Sequence, residues 1–438
     1  MRLPRSLILS LPVCSSYAAA KAVFAHYMVG TMTATEAVTD VKDAINAGFD
    51  AFALNVPSMD DWATSAISYL FSAANNAGSN FKLFFSFDMT QFNHPSQLLP
   101  LIEQYAANES YLQQDGRPFV STFSGGTISN DDWNSKFRQP LQAKGINPFF
   151  VPNFDNWSGY PNGFFNTFTV ADGVFGWESA WPEVSAGKVN VSDSVDQAAL
   201  QEARAANKVY MMPLSTFQFK HMSGDGQNWY RIGELNYFDR MEQVLSLQPD
   251  FVELITWNDA GESHYVGNFW PEQIAGTDIG NYANGFDHTG WQQVLPSFIN
   301  AYKSNVTDIS KITPAGGKAV GVMWYRSLLT TANCSPDPMG KPSGWQNAQD
   351  AINFAVILPE GASGYTINVY SNNKQIGSFP ANAGLNGQSV PGLQAGGGQR
   401  VEVVDSSNKT IISATGTKDV QAQTTGLCNY NYVVAALS

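Results

Sequence analysis

The chain has 438 residues, 44% of them hydrophobic and only 14% charged, enough apolar material to bury a large core in two domains. Its 24 Lys and Arg against 37 Asp and Glu give a formal net charge of −13. That balance repels nucleic acid and anionic membranes and leaves neutral or cationic ligands as the expected partners.

Arg2 and Arg5 precede the apolar run SLILSLPV, and Ala18 to Ala20 offer a small-residue cleavage site. Charge, apolar core and cut together describe a secretory signal peptide over residues 1–20, with the mature chain starting near Lys21. No later run approaches the roughly 20 apolar residues that span a bilayer, and the terminal NYVVAALS is too short for a lipid-anchor signal. A secreted protein, extracellular or cell-wall associated, is expected. Cys14 leaves with the leader, so Cys334 and Cys428 remain as an even pair that an oxidising compartment would let bond. Two buried free thiols are the alternative. Glycosylation sequons at Asn108, Asn156, Asn190, Asn305, Asn333 and Asn408 add weak support for export.

From Lys21 onward one pattern repeats. Runs rich in β-branched and aromatic residues begin at Val23, Ala51, Lys82, Pro118, Pro148, Gly173, Lys208 and Phe251. They are continuously hydrophobic rather than alternating, as parallel strands covered on both faces are. Their starts lie roughly 25 to 43 residues apart, room for a strand, a loop and a crossover helix. TATEAVTDVKDAINAG places Val38, Val41 and Ile45 on one face, with a Thr start and Gly48 as stop. MDDWATSAISYLFSAANNAG and GELNYFDRMEQVLSLQ read as helices too, while the interval after Phe154 gives no clear helix. Eight strands alternating with helices predict a (β/α)8 TIM barrel over residues 21–311.

Beyond SNVTDISKITPAGG the grammar changes. AVGVMWYRS, INFAVILPEG, YTINVYSNNKQIGSF and RVEVVDSSNKTIISATG are separated by Gly, Pro, Asn and Ser turns with no helical interval. A C-terminal all-β sandwich over residues 312–438 is expected, tied by Cys334 and Cys428. A structural cap is preferred to a carbohydrate-binding module, because no exposed aromatic triad is visible.

In a barrel the active site forms at the carboxyl ends of the strands, and there this chain keeps its unusual polar residues. His26 and Tyr27 follow the first strand core, Asn55 the second, Asp88 the third, Asn153 and Asp155 the fifth. Glu178 follows the sixth, Ser215 and Thr216 the seventh. The eighth ends in ITWNDAGESHY, which concentrates Trp257, Asn258, Asp259, Glu262, His264 and Tyr265. Trp157, Trp177 and Trp181 lie among them. Carboxylates ringed by tryptophans suit a sugar polymer, whose CH faces stack on indole while its hydroxyls hydrogen-bond. Each residue has a duller reading: a strand-end acid can be a helix cap or a surface ion pair, and a lone His or Trp can be core.

Other chemistries have less support. Five His without HxH, HExxH or CxxC spacing argue against a metal site. There is no GxSxG elbow, and no GxGxxG or GxxxxGK[ST] loop, so no cofactor is implied. Hydrolysis by paired carboxylates needs none of these.

VFAHYMVG, AFALNVP, LFFSFDM, STFSGG, VPNFD and above all TWNDAGESHY resemble the fungal α-1,3-glucanases, or mutanases, of glycoside hydrolase family 71. The resemblance runs from Lys21 to about Asn300 and weakens beyond Ile312. It implies an endo-acting enzyme that cuts α-1,3-glucan on a barrel followed by a β-sandwich, with inversion. The family's essential acids fall on Asp88, Asp259 and Glu262, and Ala260 departs from a position where tyrosine is common. Glu262, in a partly apolar setting, is expected to protonate the leaving group and Asp259 to activate water, with Asp88 orienting substrate or water. Which of Asp259 and Glu262 is acid and which base stays open. His26, Tyr27, Asn55, Asp155, Trp157, Glu178, Trp181, Trp257, Asn258, His264 and Tyr265 are the expected substrate contacts of a monomer. A transglycosylase and a non-catalytic cell-wall glycan-binding protein remain as alternatives.

Overall fold

The computed structural model describes residues 21–438; the expected signal peptide lies outside the described residues. All eight apolar runs form strands of one sheet: Ala22–Met28, Ala51–Val56, Lys82–Asp88, Arg117–Phe123, Phe149–Phe150, Gly173–Phe175, Val209–Leu214 and Phe251–Leu254. Their spatial order is fifth, fourth, third, second, first, eighth, seventh, sixth, with every pairing parallel. The sheet curls until its two ends meet. Across that seam only two backbone hydrogen bonds run, from Asp172 N to Phe150 O (2.8 Å) and from Phe175 N to Pro152 O (2.9 Å). The fold is therefore mixed α/β around a curled parallel sheet, with its ladder interrupted where a closed barrel was expected. The end strands are two and three residues long, and Pro152 has no N–H to give.

Alternation along the strands fills the interior in layers. Phe24, Phe84, Phe119 and Phe251 pack at centroid distances of 4.6 to 5.7 Å. Two residues further along come His26, Ser86, Ser121 and Glu253, all fully buried, so the core turns polar beneath the strand ends. Outside, the helix Ala34–Asn46 starts at a Thr33 and Glu36 capping box, as the Thr start suggests. Its buried face is Ala37, Asp40, Val41 and Ala44, whereas Val38 is 55% exposed. The expected stripe is thus rotated: Asp40 faces inward because buried donors meet it there.

The long interval before the eighth strand holds an unforeseen hairpin, Gln218–Met222 with Gln227–Arg231, ahead of the helix Asn236–Leu247. Separate all-β sheets follow. One pairs Gly384–Pro391, Ala351–Leu358, Val320–Arg326 and Tyr432–Leu437; another pairs Lys374–Ala381, Tyr365–Ser371, Arg400–Val404 and Thr410–Thr415. Met323, Tyr325, Phe354 and Val356 of the first share a buried cluster with Ile367, Val369, Val401 and Val403 of the second. On its opposite face, Val322, Trp324, Ala355 and Val434 join the core of the parallel sheet. The strands Val320–Arg326 and Ala351–Leu358 are covered on both sides, which is why they read as continuous apolar runs. Cys334 and Cys428 form a disulfide with Cα atoms 5.5 Å apart.

Candidate active site

The stretch that closes the eighth strand is built from its own side chains. Asp259 N donates to Thr256 Oγ1 (2.8 Å), and Glu262 N donates to Asp259 Oδ1 (2.9 Å). Asn258 reaches the first strand, accepting from Met28 N (2.7 Å) and donating to Met28 O (3.0 Å). Gly267 lets the chain return over Trp257, since a Cβ there would lie 2.1 Å from the indole.

These constraints bring two carboxylates to one imidazole. His264 Nε2 lies 3.2 Å from Asp259 Oδ2 and 3.7 Å from Glu262 Oε2. His264 is fully buried, whereas the acids keep 16% and 23% of their side chains exposed. Burial alone would raise the Asp259 pKa, but the His264 hydrogen bond and charge, the Glu262 amide and Lys220 outweigh it and hold the group below the ordinary carboxylate range. The group is thereby kept as the anion.

Glu262 does not sit in the apolar setting expected of it. Gln218 Nε2 donates to its Oε2, Lys220 Nζ stands 3.4 Å from its Oε1, and Phe219 N donates to its carbonyl (2.9 Å). All three contacts come from the hairpin. Sequence reasoning missed Gln218 and Lys220. The signal was there in FQFKHM and NWYRI, two alternating runs flanking the turn residues SGDG.

Around this centre, Trp181 lies 5.3 Å from the His264 ring, and the Arg231 guanidinium covers Trp181 at 5.4 Å. Arg231 also pairs with Glu178 at 2.8 Å. Asp155 accepts from the backbone of Trp177 and Glu178 (2.9 Å each); burial pushes its pKa up. Asp155, Glu178, Trp181, Arg231 and Asn347 line a cavity of about 990 Å³. Trp157, half-buried, packs on Phe168 at 5.5 Å.

Other expected contacts lie elsewhere. Asp88 accepts from Thr90 N (2.9 Å) and Thr90 Oγ1 (2.6 Å) in its own turn and makes no hydrogen bond to the Asp259 and Glu262 pair. His26 is fully buried, with Nδ1 2.6 Å from Glu253 Oε1, and Asn55 is 2% exposed. The rings of Tyr27, Trp257 and Tyr265 are enclosed and packed. Tyr27 and Trp257 donate to Asp40 (2.8 and 3.2 Å), and Tyr265 stacks on His288 at 4.0 Å. Tyr27 follows His26 on one strand, so alternation sends it to the opposite face.

Asp259, Glu262 and His264 each offer one atom within 4.8 Å of the others, a trio close enough to hold a cation.

A curled parallel sheet that gathers paired carboxylates and aromatic rings past its strand ends is an arrangement that suits glycoside-cleaving enzymes. The model of Glycosyl hydrolase family 71 matches residues 19–438, and the chain belongs to that family. The match extends well past Ile312, beyond which the motif resemblance weakens. The chain is 33% identical over 381 residues to the glucan endo-1,3-alpha-glucosidase agn1 of Schizosaccharomyces pombe, covering 85% of each chain. It is 31% identical over 418 residues to the mutanase Pc12g07500 of Penicillium rubens, covering 93% of this chain and 87% of the other. An ascus wall endo-1,3-alpha-glucanase of Schizosaccharomyces pombe is 29% identical over 386 residues, 84% and 86% of the two chains. Among solved structures, a GH99 endo-alpha-mannosidase from Bacteroides thetaiotaomicron superposes with a TM-score of 0.51 at 11% identity, over 65% of this chain and 98% of its own. That likeness concerns the fold alone.

Proposed function

We propose that this protein is a secreted, monomeric endo-acting enzyme that hydrolyses α-1,3-glucan, with Asp259 and Glu262 as its essential acids. The observation that carries the reading is the Asp259, Glu262 and His264 cluster past the eighth strand, in a family whose relatives are named for cutting this linkage. Residues 21–311 form the catalytic (β/α)8 barrel and residues 312–438 the β-sandwich. An ascus wall relative and the leader-like residues 1–20 support export. Among the described residues no helix is long and apolar enough to cross a membrane.

Asp259, kept as the anion, acts as base on a water, and Glu262 protonates the glycosidic oxygen. His264 bridges the pair and Lys220 moderates its charge. Asp88 orients substrate from across the sheet, while Trp181, Trp157, Glu178 and Asp155 line the path of the glucan. His26, Asn55 and Asn258 shape the floor beneath.

Inversion is the outcome the resemblance implies. A water between base and sugar requires carboxyl groups roughly 6.5 to 9.5 Å apart, whereas oxygens of this pair lie within 4.8 Å. The carboxyl carbons stand farther apart than these nearest oxygens, so the pair can admit a water with Glu262 held by the hairpin.

Incubating the mature protein with insoluble α-1,3-glucan, and with β-1,3-glucan as control, tests the substrate. New reducing ends from the first alone are expected. Release from neither overturns the reading, and products longer than supplied oligosaccharides would assign transglycosylation instead.

A further inference from the structure

The hairpin Gln218–Arg231 touches Glu262 on one side and the C-terminal β region on the other. Its first strand supplies Gln218, Phe219 N and Lys220 to Glu262. The next residue, His221, is 4% exposed and holds Asp337 through Nε2 at 2.8 Å. Asp337 is itself 6% exposed and fully engaged, accepting from Cys428 N (2.7 Å) and Met339 N (2.9 Å) as well. Cys428 is bonded to Cys334, three residues before Asp337. The carboxylate that grips the hairpin is thus enclosed by a covalent loop of the C-terminal region.

The second hairpin strand is fastened to the same segment. Tyr230 N donates to Ser343 O (2.8 Å) and Ser343 N to Asn228 O (2.9 Å). The approach is so close that a Cβ at Gly344, where φ is +87°, would stand 2.4 Å from Tyr230 O. A wall that only covered the barrel's apolar surface would require no buried polar pair at this seam, since apolar packing alone is favourable there. Burying a carboxylate and an imidazole is costly unless each is held by partners, and here both are.

We propose that the C-terminal β region is part of the catalytic apparatus, with Asp337 and His221 as positioning residues that set the hairpin against Glu262. This rests on the assignment of Glu262 as the proton donor. The first strand of the clamp meets Glu262 through all three contacts, so releasing His221 on the same strand frees Lys220 and Gln218 to shift together. A shift of about 1 Å at a proton donor costs turnover by roughly a hundredfold at most and leaves distant subsites unchanged.

The test is Asp337→Asn and His221→Asn in the full disulfide-bonded protein, assayed on soluble α-1,3-linked oligosaccharides beside Glu262→Gln and Lys220→Met. The expected result is a fall in kcat of roughly tenfold for either clamp variant with KM within about twofold, at an unchanged thermal midpoint for at least one of them. Lys220→Met should cost several-fold in the wild type and add nothing in the Asp337→Asn background, as coupled residues do. Wild-type kcat in folded clamp variants, or full additivity with Lys220→Met, overturns the clamp while leaving the Glu262 reading intact. A fully active Glu262→Gln would instead overturn that reading, and the clamp with it. If Asp337→Asn does not fold, the same split in His221→Asn decides.

Discussion

Asp88 and Asp259 stand at equivalent places, each just past a parallel strand, and the protein treats them differently. Asp88 turns back on Thr90 of its own loop. Asp259 receives the Glu262 amide and His264, while the loop around it is tied to the first strand, to the hairpin and, through Tyr282, to Asn429 and Asn431 of the C-terminal region. A carboxylate at a strand end is common and caps turns readily. What marks Asp259 is that residues from several separate segments converge to hold it and its neighbour. A pair proposed to transfer protons needs geometry maintained against thermal motion, and contacts from several elements hold this one.

The largest effects should therefore follow that contrast. Asp259→Asn and Glu262→Gln should each lower turnover by at least about a hundredfold with the fold intact, in the range of general acid–base contributions. Asp88→Asn, whose side chain answers to its own turn, should cost less than either. Steady-state rates on α-1,3-glucan settle the order, and a larger loss at Asp88 would reverse the comparison.

A second prediction concerns how the loop is anchored. Asp40 is buried and accepts from Tyr27, Trp257, Trp270 (2.9 Å) and Asn268 (3.3 Å). Asp40→Asn would set an amide N–H₂ against some of these donors and should destabilise the protein by about 2 kcal/mol. Burial raises the Asp40 pKa to about 6, against the opposing hydrogen bonds. The unfolded chain releases this proton near pH 4, so the contribution to stability is complete below that and is lost as pH rises through about 6. The gap between the thermal midpoints of wild type and variant should narrow as pH rises from 4 to 7. Parallel curves would remove Asp40 from the account.

Much of this was legible in the chain. All eight parallel strands announce themselves as continuous apolar runs, because a sheet covered on both faces leaves no polar alternation. The same physics hid other elements. Tyr432–Leu437 is the edge strand of a sheet packed on both sides yet reads as an apolar tail, and the hairpin, although its two runs alternate, falls in an interval long enough for a helix. The ITWNDAGESHY cluster was legible by residue type. The direction of each ring was not: Tyr27 and Trp257 face Asp40, a helix residue whose inward position the hydrophobic stripe with Val38 concealed. Gln218 and Lys220 reach Glu262 across a separation of more than forty residues, which no local pattern reports.

The central claim is that Asp259 and Glu262 serve as base and acid on an α-1,3-glucosyl bond. Proton NMR of the anomeric signals, recorded as the enzyme cuts α-1,3-glucan and before mutarotation scrambles them, tests it most directly. The β-anomer should appear first, because a water activated by Asp259 attacks the face opposite the leaving group. An initial α-anomer would contradict the claim: retention needs a carboxylate nucleophile, a role that Asp259 as base does not fill.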